Sequence, residues 1–524
     1  MLRAMQSLLI AALVLMMLGC GSQSPVESPL NPNSSTVPVT LSITDQPPTG
    51  VTVLFFQLTM TSASLNNSTG GTFPLVSSSN PIPINVTKLQ TDTAFLGNVS
   101  VPAATYDSLS VTFANPQLSI YNGSGATIGT GANACLNNTV CQLTPTASPL
   151  TLSFSTTPFP IDLTASSPLA FMLDVHLDNV IQQDLSVNLA ATNGVTISQL
   201  PIPPSGQHRH LGHLVGTVQS VTPQTGALTG FTLQSLFGKT FTIDVNSSTT
   251  YNYPSAVCSA DNSTCVGAQQ IVKVEVTQQS DGSLLASEVD YLQAAGQIMV
   301  EGNILRLSSS GGNTLMDLIL QSGPNAPNTL PLGGRVTVTV PSSGVTYAID
   351  NGTFTLPGGL SFAQATDLVP GQAVTVTVQG PISKGGGSGS SSGWGNKGGI
   401  TFATNSVTLE PSQITGLVTT VNASGMTFTL GWDWGFFTPF SSWGASAPNL
   451  TSNGVNVITT GQTTFTDFTT DTISGVAAND LVSVQGWLYL TPGATTSGCT
   501  TPSQCATNTT LVGQTVTDRP TPTF

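Results

Sequence analysis

Runs in which apolar and polar residues alternate recur from one end of the chain to the other: Val39-Thr-Leu-Ser-Ile-Thr, Val272-Lys-Val-Glu-Val and Val336-Thr-Val-Thr-Val. A period of two places successive side chains on opposite faces of an extended strand, and no helix gathers such a pattern onto one side. The runs stop at clusters of turn residues such as Asp45-Gln-Pro-Pro-Thr-Gly. Charged residues make up 6% of the chain, too few to clothe the exposed faces of many helices. The fold class expected is therefore all-β. At about 150 residues per domain, a chain of 524 residues holds three or four domains.

The amino terminus follows a different logic. Arg3 supplies a positive start, Leu8 to Leu18 an unbroken apolar stretch of 11 residues, and Gly19 precedes Cys20. That stretch falls short of the roughly 20 residues a membrane-crossing helix needs, and the order of features is that of a secretory signal. Its end resembles the bacterial lipobox, in which the cysteine is acylated and becomes the new amino terminus. The resemblance implies residues 1–20 as signal peptide, Cys20 as lipidation site, and an exported protein anchored at the outer membrane or cell surface. Gly21 stands where an Asp would resemble an inner-membrane retention signal. Residues 21–36, rich in Ser, Pro and Asn, read as a flexible spacer.

Strand signals between residues 37 and 200 predict one antiparallel β-sandwich: Val51 to Leu65 as two extended runs, then Ile82 to Val86, Leu109 to Phe113, Leu150 to Phe154 and Leu185 to Leu189. Residues 201–212, with Pro, Gly and His208-Arg-His210, read as a linker. Beyond it the chain repeats itself. Gly216-Thr-Val-Gln-Ser-Val, Phe231-Thr-Leu, Phe241-Thr-Ile, Thr249-Thr-Tyr and Ile271-Val-Lys-Val are answered by Gly416-Leu-Val-Thr-Thr-Val, Phe428-Thr-Leu, Val455-Asn-Val, Thr463-Thr-Phe and Leu481-Val-Ser-Val. A middle copy starts at Val300-Glu-Gly-Asn-Ile. Each copy carries about six short strands, enough to close a small barrel and remove exposed edges. The expected organisation is thus a sandwich followed by three small β-barrel-like repeats, at residues 213–294, 295–412 with a Gly/Ser insertion at 385–399, and 413–524 with an aromatic loop at 431–444.

Three segments of the first domain, Leu41-Ser-Ile-Thr-Asp-Gln-Pro47, Val101-Pro-Ala-Ala-Thr-Tyr106 and Phe171-Met-Leu-Asp-Val-His-Leu-Asp178, resemble motifs of the bacterial exported lipoprotein family known as domain of unknown function 4382. Ala104 replaces the glycine usual in that family. The order of strand signals over 213–519 resembles domain of unknown function 5666. Neither resemblance implies a chemistry.

Apart from Cys20, the cysteines fall into three close pairs in polar loops: Cys135 with Cys141, Cys258 with Cys265, and Cys499 with Cys505. Local disulfides in an oxidising compartment account for them. Zinc, the rival, needs about four ligands, and no pair has a second pair or histidines in its own segment. The net charge of −14, with only ten Lys and Arg, makes nucleic acid and anionic lipid headgroups poor partners.

Gly389-Ser-Ser391-Ser-Gly393 matches the spacing of an esterase nucleophile elbow, but neither strand nor helix flanks it. Glu275 and Glu288 alternate with apolar neighbours and are expected to face solvent. On 171–178, alternation puts Asp174, His176 and Asp178 on one face, a candidate Ca²⁺ or Zn²⁺ site weighed against a solvated face. His208, His210 and His213 form a second cluster in a Pro-rich setting. In the last repeat, Gly431-Trp-Asp-Trp-Gly-Phe-Phe-Thr-Pro-Phe-Ser-Ser-Trp-Gly444 concentrates Trp432, Trp434 and Trp443 beside Asp433 on a long connection. Two readings stand: a platform for stacking on sugar rings or a protein partner, or a plug folded into the barrel end.

No acid, base and nucleophile converge in one segment, and no cofactor is implied. The expectation is a non-catalytic envelope lipoprotein with a binding, adhesion or structural role, its partners the membrane through the anchor and a polysaccharide or envelope protein. The alternatives are a glycan-binding surface module that serves a separate hydrolase and, last, a hydrolytic enzyme.

Overall fold

In the computed structural model the described residues lie between 36 and 519, apart from 47–52, 90–93, 201–208, 324–328, 385–398, 432–453, 496–504 and loop stretches of one to four residues. They form an all-β structure with no helix of seven residues or more.

The first domain is a sandwich of two sheets. One contains, in spatial order, the strands Val195–Leu200, Leu169–His176, Thr36–Gln46 and Ala94–Pro102. The other is built on Val53–Asn67 and Thr105–Asn122, which shorter strands join. Alternation delivers Leu41, Ile43, Phe171 and Leu173 from the first sheet onto Phe56, Leu58, Val111 and Phe113 of the second, all in one core. The expected antiparallel pairing has an exception: Thr36–Gln46 runs parallel to Leu169–His176, with Val39 opposite Leu169. Parallel neighbours need a long crossover, and residue alternation carries no sign of strand direction.

Other expectations need correction. Val51 to Leu65 is a single strand, Val53–Asn67, whose bulges mimic a break. Leu185 to Leu189 is not a strand: Leu185 sits at φ 63°, in the left-handed region, and Val187 makes only isolated bridges. The linker ends before residue 212, because a strand already starts at Arg209.

The motif Val101-Pro-Ala-Ala-Thr-Tyr106 turns the chain from one sheet into the other. Tyr106 is fully buried, its hydroxyl donates to the carbonyl of Pro102 at 2.9 Å, and Phe73 packs edge-on against its ring. This is a tyrosine-corner arrangement, which pins a sandwich turn by one buried hydrogen bond.

Three barrel units follow, and their strands correspond one to one. The first strands are Arg209–Thr222, Met299–Ser310 and Ser412–Asn422; the second Gly230–Ser235, Asn313–Ser322 and Thr427–Gly431; the third Thr240–Asp244, Arg335–Val340 and Gly454–Ile458. The fourth are Thr250–Asn252, Thr346–Ile349 and Thr464–Thr466, and the fifth Gln270–Gln278, Ala373–Thr377 and Leu481–Leu490. The sixth are Leu284–Ala294 and Thr509–Arg519 in the outer units; in the middle unit the sixth is split into Ile400–Ala403 and Ser406–Glu410.

In the outer units the first strand pairs with the second and fifth, the fifth with the sixth, and the sixth closes the ring by running parallel to the third. The fourth pairs with the far half of the sixth. The split strand of the middle unit divides the same duties, its first half pairing with the third strand and its second half with the fourth and fifth. An extra strand, Gln379–Lys384, leads towards the Gly/Ser tract, of which residues 385–398 lie outside the described ones.

One glycine recurs in every first strand for a steric reason. A Cβ on Gly216, Gly302 or Gly416 would lie 2.3, 2.6 or 2.0 Å from a backbone oxygen of the second strand, closer than any side chain tolerates. The glycine lets the two strands cross tightly enough for a ring this small.

The middle and last units share cores with each other, and the middle one also with the sandwich. Trp487, Tyr489 and Val512 of the last unit lie in the core of the middle one, and Val369 of the middle unit lies in the core of the last. Leu54, Phe55 and Tyr121 of the sandwich pack on Leu305 and Ile319 of the middle unit. Polar contacts tighten that seam: Gln321 Nε2 donates to Leu54 O at 2.7 Å and Ser119 Oγ to Gly333 O at 2.6 Å.

Candidate functional site

Of the residues singled out in the sequence, Trp432, Asp433, Trp434 and Trp443 lie outside the described residues, as do Cys20, Cys499, His208 and the Gly389–Gly393 tract. Cys135 is bonded to Cys141 and Cys258 to Cys265, with Cα separations of 5.7 and 5.5 Å. Cys505 is buried at the end of its loop. His210 and His213 fall within the Arg209–Thr222 strand, opposite Thr277 and Glu275.

Asp174 and His176 share the outer face of their strand, as alternation requires, while Phe171, Leu173 and Val175 point into the sandwich core. Their side chains lean together, with His176 Nε2 at 3.5 Å from Asp174 Oδ2. Asp178 belongs to the short helix Leu177–Val180 that follows. Among the described residues no three His, Cys, Asp or Glu side chains converge as metal ligands. This sheet face is covered: Thr40 and Ser42 are 0% and 1% exposed, and their hydroxyls, like Asp174 Oδ1, have no hydrogen-bond partner among the described residues. Burial raises the Asp174 carboxyl above the ordinary range, opposed by His176 and by Arg519 from the last strand of the last unit.

A dense group of ionisable residues was not foreseen. It lies where the first unit meets the middle one. Lys273, on the fifth strand of the first unit, stands directly opposite Asp290 on the sixth, and Glu275 opposite Glu288. Neither glutamate faces solvent as expected; both are half-buried, because the middle unit covers this side of the sheet. Lys273 Nζ is 3.3 Å from Asp290 Oδ2 and 3.7 Å from Asp350 Oδ2 of the middle unit, so one ammonium ties the two units. Asn252 donates to Asp290 Oδ1 at 2.6 Å and also to Glu288 Oε1. The backbone of Gly352 presses on Glu288: a Cβ there would sit 2.5 Å from its Oε1.

Electrostatics follow from this crowding. Burial disfavours the charged form of Lys273, but Asp350, Asp290, Glu410 and Glu275 outweigh it and hold the ammonium well above its ordinary pKa. Burial, with Asp290 and Glu275 as like-charged neighbours, pushes Glu288 up to about 8. Glu410, at the end of the middle unit's split strand, is raised well above the carboxylate range by burial and then by Asp350 and Glu301. Glu301 itself is ion-paired with Lys88 of the sandwich.

Asp350 is also the hinge point towards the last unit. Its backbone oxygen accepts from Trp487 Nε1 at 2.8 Å, and the Trp487 ring lies 5.0 Å from that of Phe354. Gln462 of the last unit caps the same loop by accepting from Thr355 N at 2.7 Å. A single loop thus touches both barrels. The sequence held only a faint signal of this: a lone lysine and two glutamates at alternate positions of a chain otherwise poor in charge.

No curated protein matches the chain. The family model described as Domain of unknown function (DUF5666) matches residues 215–290 and 415–489, the two outer barrel units, between which the middle unit repeats the same strand order. The model described as Domain of unknown function (DUF4382) matches residues 36–198, the sandwich. The chain thus joins an amino-terminal domain of the DUF4382 family to repeats of the DUF5666 family.

Proposed function

We propose that the protein is an exported lipoprotein, held at the outer membrane or cell surface through Cys20, whose role is binding, adhesion or envelope structure and not catalysis. The observation that carries this reading is the interlocking of the sandwich with the middle and last barrels through shared cores and a buried hydrogen bond. A chain of small domains joined by mobile linkers would suit a flexible tether. A sandwich and two barrels that share core side chains make one stiff body, suited to holding a surface at a fixed distance from an anchor. The local disulfides fit an oxidising compartment outside the cytoplasm.

Two measurements test it. Cys20→Ser should shift the protein from the membrane fraction to the soluble one, because acyl chains supply the stable binding that a polar spacer lacks; unchanged membrane association would refute the anchor. Retention of the purified protein on immobilised polysaccharides, with Trp432, Trp434 and Trp443 each replaced by Ala, separates the roles. Retention lost in the variants makes it a glycan-binding module, whereas no retention by the wild-type protein leaves adhesion to protein or a structural role.

A further inference from the structure

We propose that docking of the first barrel unit against the middle unit is proton-linked, tight in acid and loosened as pH rises, because the seam at Lys273 gathers more carboxylates than cations. Glu275, Glu288 and Asp290 come from the first unit, Asp350 and Glu410 from the middle one. Among the described side chains one ammonium, Lys273, stands against these five, and His213 lies opposite Glu275 in the strand pairing. Glu301, which borders the group, has its own partner in Lys88. The two ion pairs of Lys273 claim Asp290 and Asp350. Glu288 is left between Asp290 and the backbone of Gly352, with the amide of Asn252 as donor, and Glu410 is left beside Asp350 and Glu301. Neither has a cation to itself. Buried carboxylates in that position hold a proton when the units are together and release it when the units part and water returns.

The sign follows from the direction of the shift. Glu288 moves from 4.5 to about 8 in the assembled protein, chiefly through burial. The docked state therefore binds more protons than the undocked state between those values, so docking weakens as pH climbs through that window and is level beyond it. Tyr253, whose hydroxyl donates to Gln270, stays neutral throughout, since burial and its neighbours push its ionisation far into the alkaline range. The seam is thus a built-in response to external alkalinity. A loosened first unit would leave the middle and last units joined, because their connection runs through Trp487 and Val369, which lie in apolar cores.

Hydrogen exchange on the full-length protein tests this, read at residues 350–354 and 250–252 and corrected for the intrinsic pH dependence of amide exchange. Wild-type protection there should fall at least about tenfold between pH 5 and pH 8.5, a discounted fraction of the shift in Glu288. Protection around the Tyr106 turn should not change. Glu288→Gln, which keeps the shape and cannot ionise, should hold its protection at pH 8.5; Glu410→Gln provides the same test if the first variant does not fold. Protection that is independent of pH in the wild type, or that falls equally in both variants, overturns the proposal. So does restoration at pH 8.5 by millimolar Ca²⁺, which would make the carboxylates a cation site and not a proton store.

Discussion

Trp487 is the side chain on which the union of the last two barrels depends most. It is 1% exposed, stands on a strand of the last unit, and fills the core of the middle one. Burying a tryptophan removes about 150–250 Å² from water, worth about 4–6 kcal/mol at 25 cal/mol per Å². The unfolded chain already hides part of that area, so Trp487→Ala should cost about 3–5 kcal/mol, with about 1 kcal/mol or more added because the Asp350 carbonyl loses its donor. Trp487→Phe keeps most of the ring and loses the N–H, and should cost about 1–3 kcal/mol. Urea unfolding can be followed by proteolytic cleavage between residues 350 and 356, with an unfolding slope of about 2 kcal/mol per molar. The midpoint should then drop by about 2–3 M for the alanine variant and by about 0.5–1.5 M for phenylalanine. Leu136→Ala, at a position 62% exposed, serves as the reference and should barely move. A Trp487→Ala midpoint no lower than that of Leu136→Ala would refute the claim that the two barrels share a core. Equal losses for Ala and Phe would mean that the hydrogen bond, not the burial, joins them.

Two further outcomes follow from the same contacts. Gly302→Ala drives a Cβ to 2.6 Å from the Ile319 carbonyl and should destabilise the middle barrel by about 1–3 kcal/mol, whereas Gly461→Ala, where nothing lies within 4 Å, should be neutral or slightly stabilising; thermal unfolding of the pair checks the steric account. Non-reducing peptide mapping should recover Cys135 with Cys141, Cys258 with Cys265 and Cys499 with Cys505. Removing either of the first two bridges should cost about 2 kcal/mol, since loops of 6 and 7 residues restrict the unfolded chain only modestly.

Features that depend on near neighbours were legible in the residues alone. Alternation assigned Phe171, Leu173 and Val175 to the core and Asp174 and His176 to the other face, because the pleat enforces a period of two whatever lies around the strand. Short spacing paired Cys135 with Cys141 and Cys258 with Cys265. The recurring Gly-x-Val at Gly216 and Gly416 marked the first strands, because a ring of five strands needs that close crossing wherever it forms. Tertiary structure decided what covers the second face of each strand. Leu54 to Met60 are all buried, odd and even positions alike, because the middle barrel packs on the outside of the sandwich. Glu275 and Glu288 have the pattern of solvent-facing residues and became half-buried for the same kind of reason: Asp350, Gly352 and Glu410 arrive from a unit more than 60 residues further on. Alternation reports that a strand has two faces. Whether water or another domain meets the second face is settled by long-range packing, and with it whether a carboxyl there is an ordinary surface charge or a buried group that keeps its proton.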